Sequence, residues 1–164
     1  FSEQNSWLEK LEKYPNLIIT QTLSKAYGMA GIRLGVCYAS SEIIQILNKI
    51  KPPYNVNELT QLKAIDRLQR IDEVTNEINQ LVEERKRLKK ELESINYIAH
   101  IYPSDGNFLL LKVDDATKRY NQLIEYGVVI RNRTTQPLCT NCLRISVGIS
   151  EENQKLMRAL KAIQ

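Results

Sequence analysis

Thr22-Leu-Ser-Lys25-Ala-Tyr-Gly28-Met-Ala-Gly31-Ile-Arg33 is the stretch on which the reading of this chain turns. The run before it, Asn16-Leu-Ile-Ile-Thr-Gln-Thr-Leu23, follows Pro15 and is rich in β-formers, which reads as a buried strand. The run that leaves it, Arg33-Leu-Gly-Val-Cys-Tyr-Ala39, reads as a second strand, so Ser24 to Ile32 is a glycine-punctuated loop. Lys25 therefore stands just past a strand end, where desolvation and a nearby cation would favour its free amine. Ser24 offers a hydroxyl beside it. Arg33, eight residues on, offers a planar fork suited to a phosphate, and Gly28 and Gly31 would let the backbone turn it back toward the lysine. On spacing alone, a solvated surface lysine is the better reading.

Working outward, Trp7 to Tyr14 has the spacing of a short helix ended by Pro15. Ser40 and Ser41 resemble an N-cap for a helix through Ile50, which Pro52-Pro53 ends. From Asn57 to about Ile95 apolar residues recur every three or four positions, with Arg85 interrupting the stripe. That is one long helix, joining domains or pairing as a coiled coil. Beyond Asn96 the texture changes. Strands are expected at Tyr97–Tyr102, Asn107–Val113, Val128–Asn132 and Leu143–Val147. One helix is expected from Asp114 or Asp115 to Tyr126, ended by Gly127, and a last one opens near Ser150 and Asn153.

Composition narrows the function classes. The chain has 164 residues and a net charge of +4, with no dense Lys/Arg patch interleaved with aromatics, so nucleic acid is not an expected partner. The longest apolar runs are too short to cross a bilayer, and no basic-then-apolar leader opens the sequence. Cys37, Cys139 and Cys142 are an odd number, which suits a reducing, cytoplasmic setting. Cys139-Thr-Asn-Cys142 has a zinc-like spacing without a second pair, and His100 is the only histidine, so no metal site is expected. His100 reads as a strand residue rather than a base.

The string Ser24-Lys25-Ala-Tyr-Gly28-Met-Ala-Gly31-Ile-Arg33-Leu-Gly35 resembles the cofactor-lysine motif of the fold type I aminotransferases, enzymes dependent on pyridoxal 5'-phosphate (PLP). The resemblance implies that Lys25 is the catalytic amine that bonds the cofactor aldehyde and later moves the substrate proton. It implies that Ser24 and Arg33 bind the cofactor phosphate. Two later arginines extend it. Arg131, in Gly127-Val-Val-Ile-Arg131, and Arg144, in Leu143-Arg-Ile-Ser-Val-Gly148, resemble the C-terminal signature of the histidinol-phosphate aminotransferase family. By that resemblance Arg131 takes a substrate phosphate and Arg144 an α-carboxylate, with Arg133 a weaker substitute for Arg131. Asn107 enters a small-domain strand and is structural. From pattern alone, either arginine could equally face solvent.

The fold class implied is α/β, the C-terminal part of a fold type I PLP-dependent transferase. Residues 1–52 would be a remnant of the large-domain sheet, 53–96 interdomain helices, and 97–164 an α+β small domain. The family's N-terminal features, among them the aspartate that pairs with the pyridinium nitrogen, cannot be placed in this sequence. The chain by itself is accordingly expected to be inactive, with amino transfer between L-histidinol phosphate and 2-oxoglutarate belonging to a homodimeric whole enzyme. A threonine-phosphate decarboxylase, an aromatic aminotransferase and a non-catalytic helical interaction module are the competing readings. The enzyme reading asks that Lys25 lie near phosphate-binding groups. An amine in open water, with Arg33 turned elsewhere, would count against it.

Overall fold

The computed structural model describes residues 1–2 and 4–164. They form two compact units, residues 3–76 and residues 1–2 with 77–164.

In the first unit, a 3-10 turn at Trp7–Lys10 is capped by Ser6, whose hydroxyl accepts the Leu8 N–H at 3.2 Å. Strand β1, Ile19–Thr22, pairs antiparallel with β2, Gly35–Tyr38, in a two-stranded ribbon whose register runs from Ile19 opposite Tyr38 to Thr22 opposite Gly35. The expected burial of the first strand is not found, since three of its four residues are exposed. The ribbon is a two-stranded sheet with no further strand on either edge among the described residues, and only Ile19, Cys37 and Tyr38 of its strands are half-buried. Gly35 is tightly placed. A Cβ there would lie 3.1 Å from the Gln21 carbonyl oxygen across the ribbon.

Helix α1, Ser41–Ile50, starts after Ser40 as expected, although the Ser40 hydroxyl makes no capping bond. The single long helix expected from Asn57 is two helices. Asn57 caps α2, Glu58–Gln69, by accepting the Thr60 N–H at 2.9 Å. Arg70 then leaves helical geometry (φ −103°, ψ 44°), and α3 runs Ile71–Leu92. The apolar spacing in the sequence, Leu62, Ile65, Leu68, Ile71 and Val74, runs on through the break. Periodicity could not expose it.

The second unit is built on a four-stranded sheet in the order β3-β4-β6-β5, with every neighbouring pair antiparallel. The strands are β3, Ile98–Ile101; β4, Phe108–Val113; β5, Arg131–Asn132; and β6, Cys142–Ser146. Strand β4 alternates as a half-buried strand should, turning Leu109, Leu111 and Val113 inward. They join Leu88 and Leu92 from α3, Leu123 from α4 (Ala116–Glu125) and Leu160 from α5 (Ser150–Ala162) in one core.

Two ends differ from expectation. Strand β5 is two residues, not five, because the Val128 N–H is already committed to the Leu123 carbonyl in the turn that ends α4 at Gly127, φ 67°. At α5, Ser150 is the first helical residue rather than the cap. Glu152 accepts the Ile149 N–H at 3.1 Å and Asn153 accepts the Gly148 N–H at 3.0 Å, so later side chains satisfy these donors. Asn107, read as structural, accepts the Val147 N–H with its backbone carbonyl. No helix among the described residues is long and apolar enough to cross a membrane.

Candidate functional site

The lysine loop is closed by its own backbone. The Leu23 N–H donates to the Leu34 carbonyl at 3.1 Å, extending the ribbon by one rung. The Met29 N–H donates back to the Leu23 carbonyl at 3.0 Å, and the Gly28 N–H to the Lys25 carbonyl at 2.9 Å. Gly28 carries the left-handed turn, φ 69°. Leu23 and Met29 are buried with Ala64 of α2, and Tyr27, Ile32 and Leu34 pack against them. Two side chains of α2 hold the loop: Arg67 Nε donates to the Tyr27 carbonyl at 3.0 Å, and Thr60 Oγ1 to the Ile32 carbonyl at 3.4 Å. Sequence reasoning missed both, because an arginine on a helix surface carries no signal that it reaches a loop forty residues earlier.

Within this frame Ser24 is half-buried, and its Oγ accepts from Thr22 Oγ1 at 2.9 Å. Lys25 is exposed, not desolvated, and its ammonium has no hydrogen bond or ion pair among the described residues. Arg33 is also exposed. It sits in the left-handed region at φ 55°, a costly conformation for a side-chain-bearing residue. Its Nη1 donates to the Ala30 carbonyl at 3.0 Å. The expected turning of Arg33 by two glycines reduces to Gly28, since Gly31 has no positive φ. Both side chains are thus exposed, and neither makes a hydrogen bond to the other among the described residues. The donor set still fits an aldehyde-bearing phosphate ester: an unpaired amine for the aldehyde, and a hydroxyl and a guanidinium within the same loop for the phosphate.

The late arginines belong to the second unit. Arg131 of β5 stands directly opposite Arg144 of β6. With Arg133 they line one cleft of about 910 Å³, which also takes in Lys155 and Glu152 of α5. Arg131 is exposed. Arg144 is half-buried, and its Nε is sealed from solvent with no hydrogen-bond partner. Its guanidinium lies 5.2 Å from the centre of the Phe108 ring. Burial first, and then the guanidiniums of Arg131 and Arg133, pull the pKa of Arg144 below the ordinary arginine value. A buried donor without a partner beside two like charges can receive an anion.

His100 is an exposed residue of β3 that meets Tyr102 edge to face at 4.6 Å, and no His/Cys/Asp/Glu group among the described residues could hold a metal. Cys37, Cys139 and Cys142 are free thiols.

An α/β chain with a lysine loop on an antiparallel ribbon, followed by an α+β unit, has the makings of part of a fold type I PLP-dependent transferase. The solved structures agree. The histidinol-phosphate aminotransferase of Clostridium acetobutylicum superposes with a TM-score of 0.88 at 26% identity, over 96% of this chain and 48% of that one. A decarboxylase from Sulfurospirillum multivorans superposes at 0.82 with 31% identity, over 97% of this chain and 47% of that one. The chain belongs to the aminotransferase class I and II family, whose model matches residues 1–163. That family consists of PLP-dependent transferases. Among curated relatives, the histidinol-phosphate aminotransferase of Flavobacterium johnsoniae is 60% identical over 163 residues, 99% of this chain and 47% of that protein. The chain thus spans about half the length of the curated relatives it matches.

Proposed function

We propose that this chain is the lysine-bearing portion of a cytoplasmic, homodimeric histidinol-phosphate aminotransferase. The whole enzyme moves an amino group between L-histidinol phosphate and 2-oxoglutarate in histidine synthesis. Residues 1–52 belong to its PLP-binding large domain, 53–96 join the domains and 97–164 form its small domain. The observation that carries the reading is the pair Arg131 and Arg144, opposite each other on neighbouring strands and lining one cleft, with the Arg144 Nε buried and unpartnered. The 60% identity to the Flavobacterium enzyme supports the same choice.

Bound PLP supplies an aldehyde for the amino group and a ring that withdraws electrons from the carbon beside it. Ser24 Oγ and the Arg33 guanidinium would hold the phosphate, the guanidinium offsetting one of its charges with a bidentate fork. Lys25 Nζ would bond the cofactor aldehyde, and as a free amine would accept and return a proton. Arg144 would orient the α-carboxylate of the 2-oxo acid or its amino acid, and Arg131 the phosphate of L-histidinol phosphate. Because both stand on paired strands, their spacing is set by sheet register rather than by flexible loops.

The test is an assay of the full-length enzyme with L-histidinol phosphate and 2-oxoglutarate. Amino transfer is expected, and Lys25→Ala should abolish both turnover and the visible absorbance that bound cofactor acquires. Retention of that absorbance by the variant sinks the assignment. A second reading is decarboxylation of a phosphorylated amino acid, and the likeness to the Sulfurospirillum decarboxylase supports the reaction type. Release of carbon dioxide without a need for 2-oxoglutarate would select it.

A further inference from the structure

Arg133 has no role in the scheme above, yet it occupies the same seat as Arg131 and Arg144. Side chains alternate along an extended segment, so residues 131 and 133 share a face and 132 takes the other. The contacts follow that rule. Asn132 turns its amide to Thr117 Oγ1 at 3.3 Å, and its Oδ1 accepts the Thr134 N–H at 2.9 Å. The Arg133 N–H donates to the Cys142 carbonyl at 2.8 Å, which holds residue 133 beside β6 one rung beyond the Arg131–Arg144 pair. Arg133 is half-buried and lines the cleft. No side-chain hydrogen bond or ion pair engages Arg131, Arg133 or Arg144 among the described residues. The carboxylate in the cleft, Glu152, already accepts the Ile149 N–H.

Three unneutralised guanidiniums on one sheet face are more than a carboxylate needs. A carboxylate carries one negative charge, whereas a phosphomonoester carries about −1.5 to −2 at neutral pH and three acceptor oxygens. Two arginines suffice for the first, and the third has a partner only in the second. We infer that Arg133 is a substrate-binding residue that, when the phosphorylated substrate is bound, completes a three-guanidinium cradle with Arg131 and Arg144, and that it adds affinity for a phosphomonoester dianion beyond that for a single carboxylate. The inference rests on the aminotransferase reading for the identity of the substrate, but the cradle itself stands on the cleft's own geometry.

Two measurements on the cofactor-loaded, full-length enzyme, whose coenzyme phosphate seat is filled, test it. In the first, inorganic phosphate and acetate are titrated calorimetrically. Arg133→Gln should weaken phosphate binding about ten- to a hundredfold, the loss of one charge-assisted bidentate contact, while acetate affinity changes about twofold or less. Arg133→Lys keeps the charge without the fork and should fall between wild type and Gln, which separates charge loss from misfolding. In the second, the kcat/KM ratio of L-histidinol phosphate to L-histidinol should collapse in Arg133→Gln, mainly through KM. Phosphate affinity and substrate ratio both unchanged overturn the inference, as does an equal loss for phosphate and acetate. If phosphate binding responds as stated but the wild type transfers no amino group, the cradle stands and the reading under Proposed function falls.

Discussion

At the scale of single residues, the best-defined electrostatic contact lies away from the cleft. Asp114 was one of two candidates for the α4 cap, and the structure gives that task to Asp115, which accepts the Lys118 N–H at 2.9 Å. Asp114 instead takes a two-pronged grip on Arg119, with Nη2 to Oδ2 at 2.7 Å and Nε to Oδ1 at 3.0 Å. The buried Arg119 also lies 4.0 Å over the Tyr97 ring and donates Nη1 to the Ile163 carbonyl, tying α4 to the end of α5. The hydrogen bond from Arg119 holds the Asp114 carboxyl below its ordinary pKa. A carboxyl depressed in the folded state binds fewer protons there than in the unfolded chain. Its stabilisation is thus complete above the unfolded value near 4 and is lost as pH falls through the folded value. Since the Asp114 side chain is about half-exposed (46%), solvent screens the pair, and Asp114→Asn should cost about 1 kcal/mol at neutral pH. Urea unfolding between about pH 5 and about pH 2 should show the wild type losing this increment and the variant not. Parallel pH profiles for the two would remove Asp114 from the account.

At the scale of elements, Arg85 shows where sequence reading succeeded and where it stopped. The stripe of α3 was legible, and Arg85 was legible as its interruption, but the cause was not. Arg85 is buried, with Nη1 donating to the Gly106 carbonyl at 2.8 Å and Nη2 to the Phe1 carbonyl at 3.4 Å. It pins α3 to the β3–β4 turn, a long-range contact that no local spacing encodes. Arg85→Met keeps much of the apolar stem but strands the Gly106 carbonyl, and a loss of about 1–3 kcal/mol in chemical denaturation is expected. An unchanged midpoint would mean that water replaces the guanidinium at no cost. The same limit explains the other misses. Alternation in β4 and the turn residues around Gly127 are local and were readable. The Arg70 break, the shortening of β5 and the tethers from Arg67 and Thr60 depend on which carbonyl or helix stands nearby. In the candidate site, the identities of Lys25, Ser24, Arg33, Arg131 and Arg144 came from a motif. The desolvation expected of Lys25 did not appear, because burial belongs to whatever covers the ribbon and the ribbon's own residues do not supply it.

At the scale of the whole molecule, the two units differ in how much apolar surface they bury. The unit of residues 77–164 has a continuous core running through Leu88, Leu92, Leu109, Leu111, Leu143 and Leu160. The unit of residues 3–76 has a small cluster centred on Leu23, Met29 and Ala64, while Ile18, Val36, Ile46, Ile50, Leu59 and Leu62 remain exposed. Local stability follows buried apolar contacts and protected backbone bonds, so the units should not open together. Hydrogen exchange on the 164-residue chain should show the amides of β4 and β6 exchanging only in global unfolding. Those of β1 and β2 should open at a markedly lower free energy, because the ribbon has one ladder and no sheet on either face. In the full-length enzyme with PLP bound, protection across residues 19–38 should rise, most of all in the loop carrying Ser24, Lys25 and Arg33, since a ligand that binds only the closed loop stabilises it in proportion to the logarithm of its saturation. β4 and β6, remote in sequence from that loop, should change little. Equal protection of both units in the chain alone would mean that the lysine loop is rigid before any cofactor arrives. Its exposure would then be a fixed property of the fold and not the open state of a binding segment.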